Sequence, residues 1–347
     1  MARTRAKLSR SCALLGVMGV SIASGVGALA MLASPRGPAL GTRELCAQYT
    51  GIPAGFERDP HAGMVFIAGG MLTPGSVRGY AEERGGTDQP IAGFWIDRTE
   101  VTNAQFARFV AATGHVTQAE RSGAAPVFHR PSPEELAERD YAWWRPTAGA
   151  DWRHPERPSS HMTDKPNHPV VQVTQADALA YARWLGRVLP TEAQWEYAAK
   201  ANRDSEALHR EPRGPHGEPL ANFWQGDFPR VNTLQDGFET SAPVGCFAAN
   251  PLGLYDVLGN VWEWTGSRYT SSHRAQDQDL ASDGAVAAVE GCSAPAEPGT
   301  RLTLKGGSFL CAANFCARYR VAARHAQEAE QPAMHIGFRT ALVEPSR

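Results

Sequence analysis

Cysteine is scarce in this 347-residue sequence: six occur, one of them (Cys12) inside an apolar N-terminal stretch, too few for a disulfide-dense scaffold. An excess of charge of one sign is missing too. Thirty-four Lys and Arg oppose 36 Asp and Glu, and a formal net charge of -2 gives no electrostatic reason to bind nucleic acid or another polyanion. No internal repeat occurs. What the chain has instead is 34 Gly, 25 Pro and 9 Trp, which predicts turns and irregular backbone around large aromatic side chains, with few long helices.

The first ten residues carry Arg3, Arg5, Lys7 and Arg10, and an uncharged, mostly apolar stretch runs from Ser11 to Ser34. Residues 1–34 therefore read as a signal peptide or an N-terminal membrane anchor, with small residues for cleavage at Ala28 to Ala30 and a positive flank that predicts an exported domain facing outward. Residues 35–60 mix Pro, Gly and charge without periodicity and read as a linker or a loosely packed entry segment; residues 61–347 read as the globular domain. Within it, Met64 to Ala68 and Ile91 to Asp97 are predicted strands. Thr102 caps a helix whose Phe106, Phe109 and Val110 share one face before Gly114 stops it. A similar unit follows, with a strand at Val170 to Val173, Thr174 as cap, and Ala178, Tyr181, Ala182 and Leu185 as a buried stripe. Thr191 caps a third helix with Trp195, Ala198 and Ala199 inward, and Ser267 to Gly299 reads as a long surface loop.

Cys311 and Cys316 need an explanation, being two cysteines in one short segment of a cysteine-poor chain. Positions five apart diverge on a helix and on a strand, so a turn must bring the thiols together, and Asn314 suits such a bend. Converging thiolates offer two soft ligands of the kind Cu(I) prefers. Zinc wants four ligands, and neither a second pair nor a nearby His run exists to supply them. In an exported protein a disulfide is the alternative.

Seven motifs surround the pair in order from about Met64 to Ala341. They are Trp152-Arg153-His154-Pro155, Leu189-Pro190-Thr191-Glu192, Gly253-Leu254-Tyr255-Asp256, Gly259-Asn260-Val261-Trp262-Glu263-Trp264, Lys305-Gly306-Gly307-Ser308, Arg318-Tyr319-Arg320 and Gly337-Phe338-Arg339. Together they resemble the formylglycine-generating enzyme (sulfatase-modifying factor) family. Most of these motifs mark a wider superfamily and so a fold; the part specific to the oxidase is the cysteine pair just after Gly-Gly-Ser, followed by Arg-Tyr-Arg.

The resemblance implies an α+β fold, irregular and C-type-lectin-like, poor in regular secondary structure and acting as a monomer. It implies an oxidase that uses copper and O2 to convert the cysteine of a Cys-x-Pro-x-Arg motif, in an unfolded or extended sulfatase polypeptide, to Cα-formylglycine. By that resemblance Cys311 and Cys316 hold Cu(I), and the substrate cysteine joins as a third sulfur ligand. Ser308 would hydrogen-bond the substrate sulfur or an oxygen species, and Trp262 would shield the site. Two structural Ca2+ sites are implied as well. Asn222, Phe223, Asp236 and Phe238 would form the first, and Asp256, Gly259, Val261 and Glu263 the second, through side-chain and backbone oxygens.

The sequence departs from the family in places. Where some relatives carry disulfides it has Ala182, Ala199, Val321 and Thr340, and Phe315 replaces a hydroxylated aromatic before the second cysteine. Cys46, Cys246 and Cys292 fall outside the pattern, with a Cys246–Cys292 bridge one arrangement open to them. Asn202 to Pro219 also diverges. Two other functions are consistent with the scaffold: a non-catalytic paralogue binding peptide or carbohydrate, which would not need both cysteines, and an accessory factor. An iron-dependent sulfoxide synthase would need a helical domain and a His-x3-His-x-Glu run that the chain does not contain.

Overall fold

A computed structural model of the chain describes residues 39–204, 208–273 and 295–343. The predicted signal or anchor (residues 1–34), Cys292 and most of the predicted surface loop lie outside the described residues. Among the described residues no helix is long and apolar enough to cross a membrane. The helices are α1 (Arg43–Gln48), α2 (Asn103–Thr113), α3 (Gln118–Ser122), α4 (Pro133–Glu138), α5 (Gln175–Trp184) and α6 (Glu192–Lys200), none longer than the 11 residues of α2. From α2 onward each begins with a Ser or Thr whose hydroxyl accepts the N3 amide while the N3 side chain reaches back to the cap: Thr102, Thr117, Ser132, Thr174 and Thr191. Gly114 ends α2 at φ 68°, the left-handed conformation a glycine adopts without a Cβ penalty.

The strands are β1 (Met64–Ile67), β2 (Gly70–Leu72), β3 (Gln89–Ile91), β4 (Phe94–Asp97), β5 (Ala124–Phe128), β6 (Trp144–Ala148), β7 (Trp262–Arg268), β8 (Arg301–Lys305), β9 (Arg324–Glu328), β10 (Ile336–Gly337) and β11 (Ala341–Leu342). They form a three-stranded sheet β1-β4-β11, a four-stranded sheet β10-β7-β8-β9, and the pairs β2-β3 and β5-β6. The result is an α+β fold of short elements. Of four apolar clusters among the described residues, the three largest form most of the core. Phe106, Phe109 and Tyr181 of α2 and α5 pack with Trp262, Trp264 and Phe338; Trp195 of α6 packs with Ile67 and Ile96; and Val127 of β5 packs with Trp224, Phe228 and Leu310.

Three sequence expectations are corrected. Ile91 to Asp97 is not one strand: Ala92-Gly93 splits it, β3 pairing with β2 and β4 with β1 and β11. Val170 to Val173 is not a strand. Gln172 takes φ 59°, outside the extended region, and its amide bonds to Ala333, so the buried run crosses the core as single-residue contacts. Of the two readings of residues 35–60, the linker does not hold from residue 39 on and the entry segment is packed, not loose: α1 forms there, Phe56 enters the main core and Cys46 is buried in a disulfide with Cys246, Cα atoms 5.0 Å apart. That bridge also excludes the Cys246–Cys292 pairing. The positions where some relatives carry disulfides are filled by packing: Ala182, Ala199 and Val321 are buried apolar residues, and Thr340 donates its hydroxyl to Asp97 at 2.5 Å.

Candidate active site

Gly306 and Gly307 end β8 at φ 97° and 80°, and a Cβ on Gly307 would lie 2.7 Å from the Arg318 carbonyl. This close approach folds the 306–318 segment back on itself. Within it the Cys311 amide donates to the Ser308 carbonyl at 2.9 Å, and the Phe315 amide donates to that of Ala312 at 3.2 Å. The turn between the cysteines is fixed from outside by Asn314. Its Nδ2 donates to Asp227 Oδ1 (3.0 Å) and the Phe228 carbonyl (3.1 Å), and its Oδ1 accepts the Phe228 amide (3.2 Å). The outcome is that Cys311 Sγ and Cys316 Sγ lie 3.2 Å apart and unbridged.

The two thiols differ. Burial, the hydrogen bond to Cys316 and that neighbour's charge push the Cys311 thiol well above the ordinary range. The hydrogen bond from Cys311, with Arg318 assisting against burial, brings Cys316 down to about 7. Cys316 is therefore the thiol that ionises more readily and Cys311 the one that keeps its proton. Arg318 is held in turn by Glu82, and lies 4.4 Å from the ring centre of Tyr80. Ser308 is fully buried and its hydroxyl accepts the Leu310 amide at 3.3 Å. Trp262 is buried in the same core cluster as Cys311 and stacks on His325, ring centres 5.5 Å apart. Burial holds His325 neutral, down to about 4.

Beside Cys316 the surface is aromatic. Phe315 is 43% exposed and stacks flat on Phe228 at 4.7 Å; Trp143 meets both edge-on, at 5.0 and 5.2 Å, and Tyr141 extends the cluster outward. The thiol pair, through half-buried Cys316, thus lies beside an aromatic cluster.

The oxygen-rich positions also converge. Asn222 Oδ1 is buried without a hydrogen-bond partner, while its Nδ2 is engaged by the carbonyl of Thr240 and Asn260 Oδ1. Asp236, fully buried and raised by that burial, accepts the amides of Phe223 and Phe238 and the Gln225 side chain. An orphaned oxygen next to a buried carboxylate fits a cation. At the second constellation Glu263 behaves otherwise than a free ligand: Arg339 holds both its oxygens at 2.6 Å and Trp195 Nε1 donates to it at 2.7 Å. Charge balance still favours a cation, because buried Asp256 and Glu100 join Glu263 against the single guanidinium of Arg339. Burial, then the neighbouring carboxylates, raise Glu100, and Asp256 rises to about 6 chiefly through burial. Gly259 approaches Asn222 so closely that a Cβ would lie 2.1 Å from its carbonyl oxygen, so the two constellations abut.

Residues 50–343 match the family model described as the sulfatase-modifying factor enzyme 1-like domain. The chain belongs to this family. It is 43% identical over 293 residues to the formylglycine-generating enzyme of Mycobacterium tuberculosis, covering 80% of this chain and 96% of that protein. It is 42% identical over 303 residues to the formylglycine-generating enzyme of Thermomonospora curvata, covering 84% and 96%. Among solved structures, PvdO from Pseudomonas aeruginosa matches with a TM-score of 0.53 at 22% identity, covering 80% of this chain and 93% of that one, a likeness of fold.

Against this sulfatase-modifying-factor frame, two features escape a sequence reading. Glu100, whose Oε2 has no hydrogen-bond partner, sits beside the second constellation but precedes a helix cap in sequence and carries no motif of its own. Glu192, Glu196 and His273 form a buried cluster of metal-ligating type. Lys305, Lys200 and Arg324 already surround its two carboxylates, so it is an ion-pair network with no charge left for a metal.

Proposed function

We propose that this chain is a copper- and oxygen-dependent formylglycine-generating oxidase acting, as a monomer, on the cysteine of a Cys-x-Pro-x-Arg motif in sulfatases. The observation that carries this reading is the unbridged pair, with two thiols 3.2 Å apart and Cys316 near half-ionised at neutral pH, beside an exposed aromatic shelf. Two relatives of similar length bear that enzyme's name.

Cys311 and Cys316 would hold Cu(I), to which two sulfur donors without carboxylate or imidazole are well matched. When bound, copper would supply the one-electron chemistry that couples loss of two electrons and two protons from the substrate's C–H and S–H bonds to reduction of O2 to hydrogen peroxide; water would then hydrolyse the resulting thioaldehyde to the aldehyde and hydrogen sulfide. Cys316, the less buried thiol, faces the incoming substrate cysteine, and Cys311 retains its proton behind it until a metal displaces it. Ser308 fixes Cys311 through its carbonyl, and its hydroxyl proton remains to be donated to a sulfur or oxygen of the bound substrate. Trp262 walls the core side. Phe315 and Tyr141, the exposed rings of the aromatic cluster backed by Phe228 and Trp143, would seat an extended polypeptide.

Calcium would be structural. Asn222, Asp236 and the carbonyls of Phe223 and Phe238 would hold one ion, and Asp256, the carbonyls of Gly259 and Val261, and Glu263 a second, with Glu100 beside it. The Cys46–Cys246 bridge supports an exported protein, in line with the signal or anchor read at residues 1–34. The test is to incubate copper-loaded protein with a Cys-x-Pro-x-Arg peptide in air and probe for a hydrazine-reactive aldehyde. The expected result is aldehyde from the native chain and none from Cys311→Ser or Cys316→Ser, both folded. Absence of aldehyde from folded, copper-loaded protein would overturn the assignment.

A further inference from the structure

A cavity of about 320 Å3 opens beside the first turn of α2, with Asn103, Trp152, His154, His161 and Met162 in its wall. We propose that it is a copper(I) site, separate from the cysteine pair, in which His154, His161 and Met162 are the ligands.

The Trp152-Arg153-His154 turn is built around one carboxylate. Asp151 Oδ1 accepts the amides of Arg153 (2.7 Å) and His154 (2.9 Å) and faces His154 Nδ1 at 3.2 Å. A carboxylate behind an imidazole accepts a hydrogen bond from Nδ1–H, fixes the ring and its tautomer and leaves Nε2 as a lone-pair donor, the usual arrangement behind a metal-bound histidine. His161 brings a second imidazole, its ring centre 5.2 Å from that of His154 and nearly perpendicular to it. Met162 follows directly, with its thioether pinned at the cavity wall by Asn103 Nδ2 at 3.0 Å.

Asn103 supplies the independent observation. It is 2% exposed, its Nδ2 is used by Met162 and the Lys165 carbonyl, and its Oδ1, in a residue that lines the cavity, has no hydrogen-bond partner. A buried acceptor left open in this way calls for a ligand or the water that accompanies one. The charged groups do not oppose a cation: Arg153 is paired with Glu120 and lies over the Trp152 ring at 4.3 Å. Two imidazoles and a thioether are borderline and soft donors. They suit monovalent copper, whereas Ca2+ and Mg2+ require oxygen and zinc a fourth strong donor.

The experiment uses the full tag-free chain with Cys12, Cys292, Cys311 and Cys316 replaced by Ser, so that no free thiol remains. Cu(I), kept reduced with ascorbate, is titrated against bicinchoninate, and the loaded protein is read by X-ray absorption. One equivalent of Cu(I) with nitrogen and sulfur neighbours is expected. His161→Ala and Met162→Leu, which leave the hydrogen bonds of Asp151 in place, should each weaken it by about tenfold or more while the protein stays folded. Failure of the four-serine chain to retain Cu(I), retention indifferent to both substitutions, or tighter retention of Zn2+ would each overturn the proposal. None of these outcomes depends on the activity proposed for Cys311 and Cys316.

Discussion

The amide of Gly245 donates to Asp256 Oδ2 at 2.6 Å, so a residue of the second oxygen-rich constellation is tied to the immediate neighbour of a bridged cysteine. Arg43, three residues before the other half of that bridge, donates to the Asp236 carbonyl and lies over the Phe238 ring at 5.4 Å. The disulfide therefore straps the N-terminal arm to both oxygen-rich loops. Cys46→Ser should lower stability by about 2–5 kcal/mol, since the bridge closes a loop across 200 residues. Added calcium should stabilise the native chain, and the variant by less. Urea unfolding with calcium and with EGTA measures both, and equal midpoints for the variant and the native chain would refute the strap.

Glu100 should matter only when the cation is present. With EGTA, Glu100→Gln removes one of three crowded carboxylates and should leave the melting temperature unchanged or raised. With calcium the same substitution should shrink the gain that the native chain shows. A gain of native size would remove Glu100 from the site.

The thiols should react in order. With metal removed, iodoacetamide should label Cys316 with a midpoint near pH 7, as the thiolate forms above its pKa of about 7, while Cys311 stays slow. Arg318→Gln should move the Cys316 midpoint upward, because the guanidinium favours the thiolate. Peptide mass spectrometry of labelled protein at graded pH reads both, and equal labelling of the two cysteines would contradict the asymmetry.

Acid should find a defined weakness at α6. Burial pushes Glu196 up, but Lys305, Lys200 and His273 outweigh it and bring it down to about 2. A carboxyl lowered on folding contributes stability that is complete above its unfolded value near 4.5 and is lost as pH falls from there towards 2. Glu196→Gln should flatten that part of the profile. At pH 7 it should cost about 3–5 kcal/mol, because Lys305 is left buried with half its partners. Chemical denaturation across pH 2 to 7 checks the window.

Local chemistry was the legible part. Thr102, Thr174 and Thr191 declare their helices because a cap needs only its own next three residues, and Cys311, Cys316 and Ser308 fall in one short turn. Contacts between distant segments were not legible. Gln172 reads as a strand residue until Ala333 claims its amide, and nothing near Cys46 in sequence announces Cys246. Glu100 was missed for the same reason: its role comes from Asp256 and Glu263, some 160 residues on.

The Cys46–Cys246 bridge and the open pair 3.2 Å apart place contradictory demands on the redox environment. The surroundings must be oxidising enough to close the buried bridge and reducing enough to leave the partly exposed pair open, which holds where the bridge has the lower reduction potential. The protein thus works inside a bounded range of potentials. Whatever occupies Cys311 and Cys316 first, metal or oxidant, decides whether a newly made molecule becomes competent.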